Sequence, residues 1–176
     1  MIEKWCAVAL GAAALTLAST PVPAQATRPS DAQIAHVAYT AGQIDIAAGR
    51  QALAKSSNPA VRSFAEEMVR DHTAVNNQAL ALVRKLKVTP ADNPTSASLS
   101  NGAKAKSAEL AQLRGAAFDR AYLANEVAYH RTVNGALKTT LIPSAQSAEL
   151  KSLLQTGLQL FREHQHHAET VSGGLK

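Results

Sequence analysis

Residues Pro59 to Leu86 read PAVRSFAEEMVRDHTAVNNQALALVRKL, and this stretch decides the fold. Ala65, Met68, His72, Val75, Ala79, Leu82 and Leu86 follow one another in alternating steps of three and four residues, the spacing of one face of a helix. Asn58 and Pro59 stand where an N-cap and a first helical residue belong. A helix with so regular a stripe buries it against other helices. His72 lies in the middle of that stripe, and a buried imidazole must be hydrogen-bonded, paired with a charge or bound to metal.

Working outward, Ser30-Asp31-Ala32-Gln33 forms a capping box ahead of a stripe made of Ile34, Ala38, Ala41, Asp45, Ala48 and Ala52. The spacing predicts a first helix from Asp31 to Lys55. Only about three residues then join it to the second, so the two must be antiparallel neighbours. Val88 to Gly102 is rich in Pro, Ser, Thr, Asn and Asp and reads as a loop, followed by a short helix over Ala103 to Arg114. After Gly115 a third long helix carries Leu123, Val127, His130, Asn134, Leu137 and Leu141, and Ile142-Pro143-Ser144 closes it. The fourth carries Leu150, Leu154, Gly157, Phe161, His164, Ala168 and Val171, and Gly173-Gly174 ends it. The expectation is an all-α four-helix bundle, roughly 37 Å long, with an extra short helix in the connection between the second and third long helices.

The N-terminus reads differently. Lys4, the apolar run Trp5 to Ala18, Pro21-Val22-Pro23 and Ala24-Gln25-Ala26 have the order of a secretory signal cleaved after Ala26, which predicts export to the periplasm or medium. The apolar run is about 14 residues, short of the roughly 20 needed to span a bilayer. Residues 27–176 then form one domain. Cleavage removes Cys6, the single cysteine of the chain, so no disulfide supports the fold. Met68 is the one methionine left, which excludes a Cu(I) site built on sulfur. The formal charge of +5 is spread along the chain, with Arg84, Lys85 and Lys87 the densest group and no interleaved aromatics, so nucleic acid is not expected as a partner. An envelope protein or a second copy of the chain is the partner class left open, through the broad apolar face of the third helix.

Each long helix carries one ionisable residue inside its stripe: Asp45, His72, His130 and His164. Counted at helical rise from the first hairpin turn, Asp45 is about 19 Å and His72 about 22 Å deep. From a second turn at Pro143-Ser144, His130 is about 20 Å deep and His164 about 31 Å, with Glu126 between them at about 26 Å. The count therefore predicts that Asp45, His72 and His130 converge and that His164 sits at a neighbouring level with Glu126. Imidazole with carboxylate suits a divalent transition metal, Zn, Cu, Fe or Mn. The alternative is a polar network that fixes helix register. Glu163, His166 and His167 form a second candidate cluster, in which Glu163 and His166 have the E-x-x-H spacing of di-iron bundles. Val69 and Val127 occupy the corresponding positions before His72 and His130, so a full di-iron motif is missing. No G-x-S-x-G, phosphate loop or Cys/His dyad marks another chemistry.

In these residues the chain resembles the bacterial exported proteins grouped as domain of unknown function 4142. The resemblance lies in Gly42-Gln43-Ile44-Asp45 with Gly49-Arg50, and in Phe64-Ala65 through Met68-Val69-Arg70-Asp71-His72. It continues in Phe118-Asp119-Arg120-Ala121-Tyr122 with His130, and in Arg162-Glu163-His164. It implies a ferritin-like fold in the periplasm or envelope and no assigned activity. Asp45 departs from the Glu usual there and is one methylene shorter. The function expected is that of a non-enzymatic, stress-linked exported binding protein. The rival expectation is a ferritin-like metal-binding protein or metal-dependent oxidoreductase using the mid-bundle site.

Overall fold

The computed structural model describes residues 28–175; the expected signal peptide lies outside them. Among the described residues there are helices and no strands. Helix α1 spans Asp31–Lys55, α2 Pro59–Lys85, α3 Pro94–Gln112 and α4 Gly115–Ala136. A π-helical turn, Leu137–Leu141, and the one-turn α5, Ile142–Ser144, extend α4, and α6 spans Ala148–Gly174.

Side chains satisfy the helix ends that backbone geometry leaves open. The Ser30 hydroxyl accepts from the Gln33 amide at 3.3 Å while the Gln33 side chain accepts from the Ser30 amide at 3.0 Å, the reciprocal box read from the sequence. Asn58 Oδ1 accepts from the amides of Ala60 and Val61 at 2.9 and 3.3 Å. Arg62 donates to the carbonyls of Leu53 and Ser56, so a residue of α2 ties down the C-terminus of α1. Gly49 lets the two helices approach along this hairpin. A Cβ there would lie 2.9 Å from Val69 Cγ2 and 3.0 Å from the Ala65 carbonyl oxygen. The carbonyl belongs to a helix and cannot retreat. Gly49→Ala is therefore expected to destabilise the protein by about 1–2 kcal/mol in urea unfolding, overpacking outweighing the gain of roughly 1 kcal/mol in helix propensity. An unchanged midpoint would show that the hairpin is looser than this.

Two sequence expectations are corrected. Pro94 begins a 19-residue helix instead of lying in a loop, so the extra helix is not short. Asn93 caps it and forms a box with Ser96, and Pro94 sits in the first turn, where its missing N–H costs nothing. The polar residues counted as loop composition are its exposed face. The third long helical run ends at Ser144, within the Ile142-Pro143-Ser144 segment expected to close it, but the turn is centred later than the Pro143-Ser144 position used for the depth count. Pro143 falls in the first turn of α5, and the π turn carries the run on to Ser144, so the reversal is at Ala145–Ser147. Measured from Gln146, His130 and His164 are about 24 and 27 Å deep, the same level within one turn. The separate level expected for His164 arose from a misplaced turn.

Hydrogen bonds fix the topology. Asp31 accepts from the amides of Gln146 and Ser147, both at 2.8 Å, which places the α5–α6 reversal at the start of α1. Asn93 donates to the Gln33 carbonyl at the start of α1, whereas Lys55 at its end donates to the carbonyl of Ala111. Helix α3 thus runs parallel to α1 and carries the chain the length of the bundle, so that α2 and α4 point the same way. A four-helix bundle with one long crossover has the connectivity of ferritin-like folds. No described helix is long and apolar enough to cross a membrane.

The core has two apolar halves. Phe64, Met68, Phe118, Tyr122 and Leu123 anchor one, near the α1–α2 turn. Ile34, Val37, Leu137, Leu141, Leu150 and Leu154 anchor the other. Asp45, His72, Glu126, His130 and His164, all buried, fall between these halves and form a polar layer across the middle.

Candidate metal centre

Asp45 of α1, His72 of α2, Glu126 and His130 of α4 and His164 of α6 are between 0 and 3% exposed. The three imidazoles form a nearly regular triangle, with ring centroids 5.6 Å apart for His72 and His130, 5.2 Å for His72 and His164, and 5.6 Å for His130 and His164. Phe161, one turn before His164, stacks on His72 at 4.7 Å and an interplanar angle of 15°, covering the triangle on the side of the second apolar half. On the other side His72 Nε2 stands 3.5 Å from Asp45 Oδ2. All five residues named for the mid-bundle layer are thus brought together, His164 included.

Local backbone geometry selects the nitrogens. His130 Nδ1 is 3.0 Å from the carbonyl oxygen of Glu126, one turn earlier, and as donor there it leaves Nε2 with its lone pair free. His164 Nε2 lies 3.1 Å from Asp71 Oδ2 and, donating to it, leaves Nδ1 free. An imidazole held by a carboxylate through one nitrogen, with the other open, is the usual posture of a metal-ligating histidine. The open positions have no protein partner: His72 Nδ1 and Nε2, His130 Nε2, His164 Nδ1, Asp45 Oδ1 and both oxygens of Glu126 are buried and unbonded. Each such group costs about 1–3 kcal/mol if left so.

The ionisation states follow from this burial. Burial holds His72 well below the ordinary imidazole range, and the nearby His130 and His164 push it further down. The same cause lowers His130 to about 4. Burial raises Glu126 to about 8, and burial together with the charge of Glu126 raises Asp45 well above the carboxylate range. At neutral pH burial therefore favours the uncharged forms throughout the layer, neutral imidazoles and a protonated Glu126 among them. A divalent cation would change that balance by favouring the ionised carboxylates and the free imidazole lone pairs.

Three donor groups have ligand atoms within 4.8 Å of one another: His72, His130 and His164; Asp45, Glu126 and His130; and Glu67, Asp71 and His164. The first two are wholly buried. Glu67 and Asp71 are absent from the site expected from the sequence, because Asp71 lies about 100° around the helix from the stripe position of His72. That side of α2 is where α6 packs. The spacing of Glu67 and Asp71 at i, i+4, opposite His164 and His167 at i, i+3, was the signal that could have found them. Of the second candidate cluster, Glu163 and His166 are exposed on the outer side of α6. His167 is half-buried and bonds instead to Glu67, with Nδ1 2.6 Å from Oε2. The one E-x-x-H pair of the sequence thus points to solvent, so the residues present do not fit a di-iron carboxylate centre.

A four-helix bundle with one crossover, its core split by a buried histidine–carboxylate layer, is the class of protein that the fold and site define. The model of the family described as domain of unknown function DUF4142 matches residues 16–171, and the chain belongs to that family. No curated protein matches. Among solved structures, a DUF305 protein from Streptomyces coelicolor, described as secreted, is similar with a TM-score of 0.68. The likeness covers 80% of this chain and 90% of that one at 12% identity, and at that identity it speaks to the fold alone.

Proposed function

We propose that the protein is an exported, non-enzymatic metal-binding bundle that holds a divalent transition-metal ion in its mid-bundle layer, with His72, His130 and His164 as ligands and with Asp45 and Glu126 beside them as the acidic members of the overlapping Asp45–Glu126–His130 group. The triangle of buried imidazoles with free ring nitrogens carries this reading. A register-fixing network would have its members bonded to one another, whereas here the nitrogens face the centre of the layer without partners. Imidazole-rich donors with carboxylates beside them favour Zn or Cu(II) over Mn. Export is supported by the signal-like residues 1–26. Holding an ion, as opposed to turning over a substrate, is supported by the burial of all five donors.

The test uses chelator-treated protein. Added Zn or Cu(II) is expected to be retained at about one equivalent. At a free concentration near a hundred times Kd it should stabilise the fold by about 2.7 kcal/mol, a rise in melting temperature of about 5–10 °C. The variants His72→Ala and His130→Ala should lose both retention and shift. No stoichiometric metal and no shift with Zn, Cu, Fe or Mn would overturn the reading.

A further inference from the structure

The buried layer has a lateral extension toward solvent. On α2, Glu67 is 25% and Asp71 18% exposed, and both face α6. His164 Nε2 is 3.1 Å from Asp71 Oδ2 and 4.0 Å from Glu67 Oε1, and His167 holds the other oxygen of Glu67. Arg70 forks onto Asp71 at 2.7 and 3.1 Å and fixes its carboxylate in place. His164 is itself fully buried and keeps Nδ1 unbonded, so it is no surface member of an acidic patch. It belongs both to this group and to the imidazole triangle. His130, in the same way, belongs both to the triangle and to the Asp45–Glu126 group. The three donor groups therefore form one chain of overlapping sites, solvent-facing at α2–α6 and sealed at α1–α4.

We propose that Glu67, Asp71 and His164, with His167 alongside, form a second divalent-cation site through which metal reaches the buried layer. This rests on the metal-binding reading of that layer. An ion arriving from water exchanges its hydration first for the two partly exposed carboxylates, which attract a cation at longer range than a neutral imidazole does. His164 links the two sites through a change of tautomer: it meets the entering ion through Nε2 with its proton on Nδ1, and as the ion passes to the layer Nδ1 gives up that proton to water while Nε2 takes one up beside Asp71, so the two sites are filled in turn and not together. Among the described residues the sealed layer has no comparable group of partly exposed donors on its Asp45 side.

The experiment is stopped-flow uptake of Co(II) by the metal-free protein, followed by its visible absorption, with final stoichiometry and melting temperature measured separately. Glu67→Gln/Asp71→Asn keeps the shapes and hydrogen-bond acceptors but removes both charges. It is expected to fill at least tenfold more slowly than wild type and to reach the same stoichiometry and the same final melting temperature. Should the double variant fold poorly, Glu67→Gln alone, which leaves the Asp71–His164 bond intact, should slow uptake at least threefold. An unchanged rate would place the route elsewhere, and an equal loss of rate and final occupancy would make these carboxylates supports of the inner site; either overturns the proposal. Wild type that takes up no Co(II) would instead remove the metal-binding reading beneath it.

Discussion

The triple variant His72→Leu/Glu126→Leu/His130→Leu is expected to melt higher than the metal-free parent and to lose all response to metal. The layer leaves several buried nitrogen and oxygen atoms unbonded, at about 1–3 kcal/mol each. Leucine removes those atoms and joins the two apolar halves of the core. Against this stands the stacking of His72 on Phe161 at 4.7 Å, worth about 0.5–1.5 kcal/mol, and some mismatch of shape. The unsatisfied groups outweigh both, and a net gain of about 2–5 kcal/mol, or roughly 5–15 °C, is expected. Differential scanning fluorimetry of the two chelator-treated proteins decides it. A variant less stable than the parent would mean that the layer contributes stability without an ion, and its role would be to fix register.

Much of this arrangement is legible in the sequence, and the parts that are not have a common origin. Asp45, His72, His130 and His164 each replace an apolar residue in a helical stripe, and the stripe alone places them in the core. Their relative depth depends on where the chain turns, and for Asp45 and His72 the turn is unambiguous because Asn58 and Pro59 mark it. For His164 the marker misleads. Pro143 is tolerated within a helical run because it occupies the first turn of α5 after a π turn, and local composition does not distinguish that from a stop. Pro94 misleads in the opposite sense: in first-turn position behind Asn93 it begins a helix that its Ser- and Thr-rich neighbours conceal. Glu67 and Asp71 escape because the stripe identifies only what faces the bundle axis. Residues that meet a single neighbour at its flank, as Asp71 meets His164, depend on helix order, which the sequence pattern leaves open.

The position of the layer also follows from the packing. Helices α1 and α2 approach closely at Gly49, where a Cβ would meet Ala65 and Val69, and this draws Asp45 and His72 within 3.5 Å of each other. Helices α4 and α6 reach the same level because the π turn and α5 lengthen α4 before it reverses. Each hairpin therefore delivers two donors or more to a common plane, from opposite ends of the bundle. Five buried ionisable groups in one plane are an unfavourable arrangement for a core, and a fold that retains them stabilises something other than its own apolar packing.

Stability should fall with pH above neutrality in the metal-free protein and stay level in the metal-loaded one. Glu126 is raised from 4.5 to about 8 in the folded state, so it contributes stability below pH 4.5 that is lost as pH rises through 8; Asp45 is shifted the same way. His130 is lowered from 6.5 to about 4, so its contribution is present above pH 6.5 and lost as pH falls toward 4, and His72 follows it. Between pH 4.5 and 6.5 the two kinds of group oppose each other, and the metal-free protein should show a broad maximum there. From pH 6.5 to 8 the histidines no longer change and the carboxylates alone act. Glu126 by itself should then cost about 2 kcal/mol, at about 1.4 kcal/mol per pH unit. A bound divalent ion keeps Glu126 and Asp45 ionised and the imidazoles neutral, so the folded state gives up no further protons over that range and the alkaline loss disappears. The stabilisation by Zn, read as the difference in melting temperature with and without it, should accordingly increase from pH 5 to pH 8, and protons should displace the ion at the acid end. A metal-free melting temperature that stays level or rises between pH 6.5 and 8 would contradict the assignment of Glu126 as a protonated, buried acid, and with it the electrostatic reason for the layer to take up a cation.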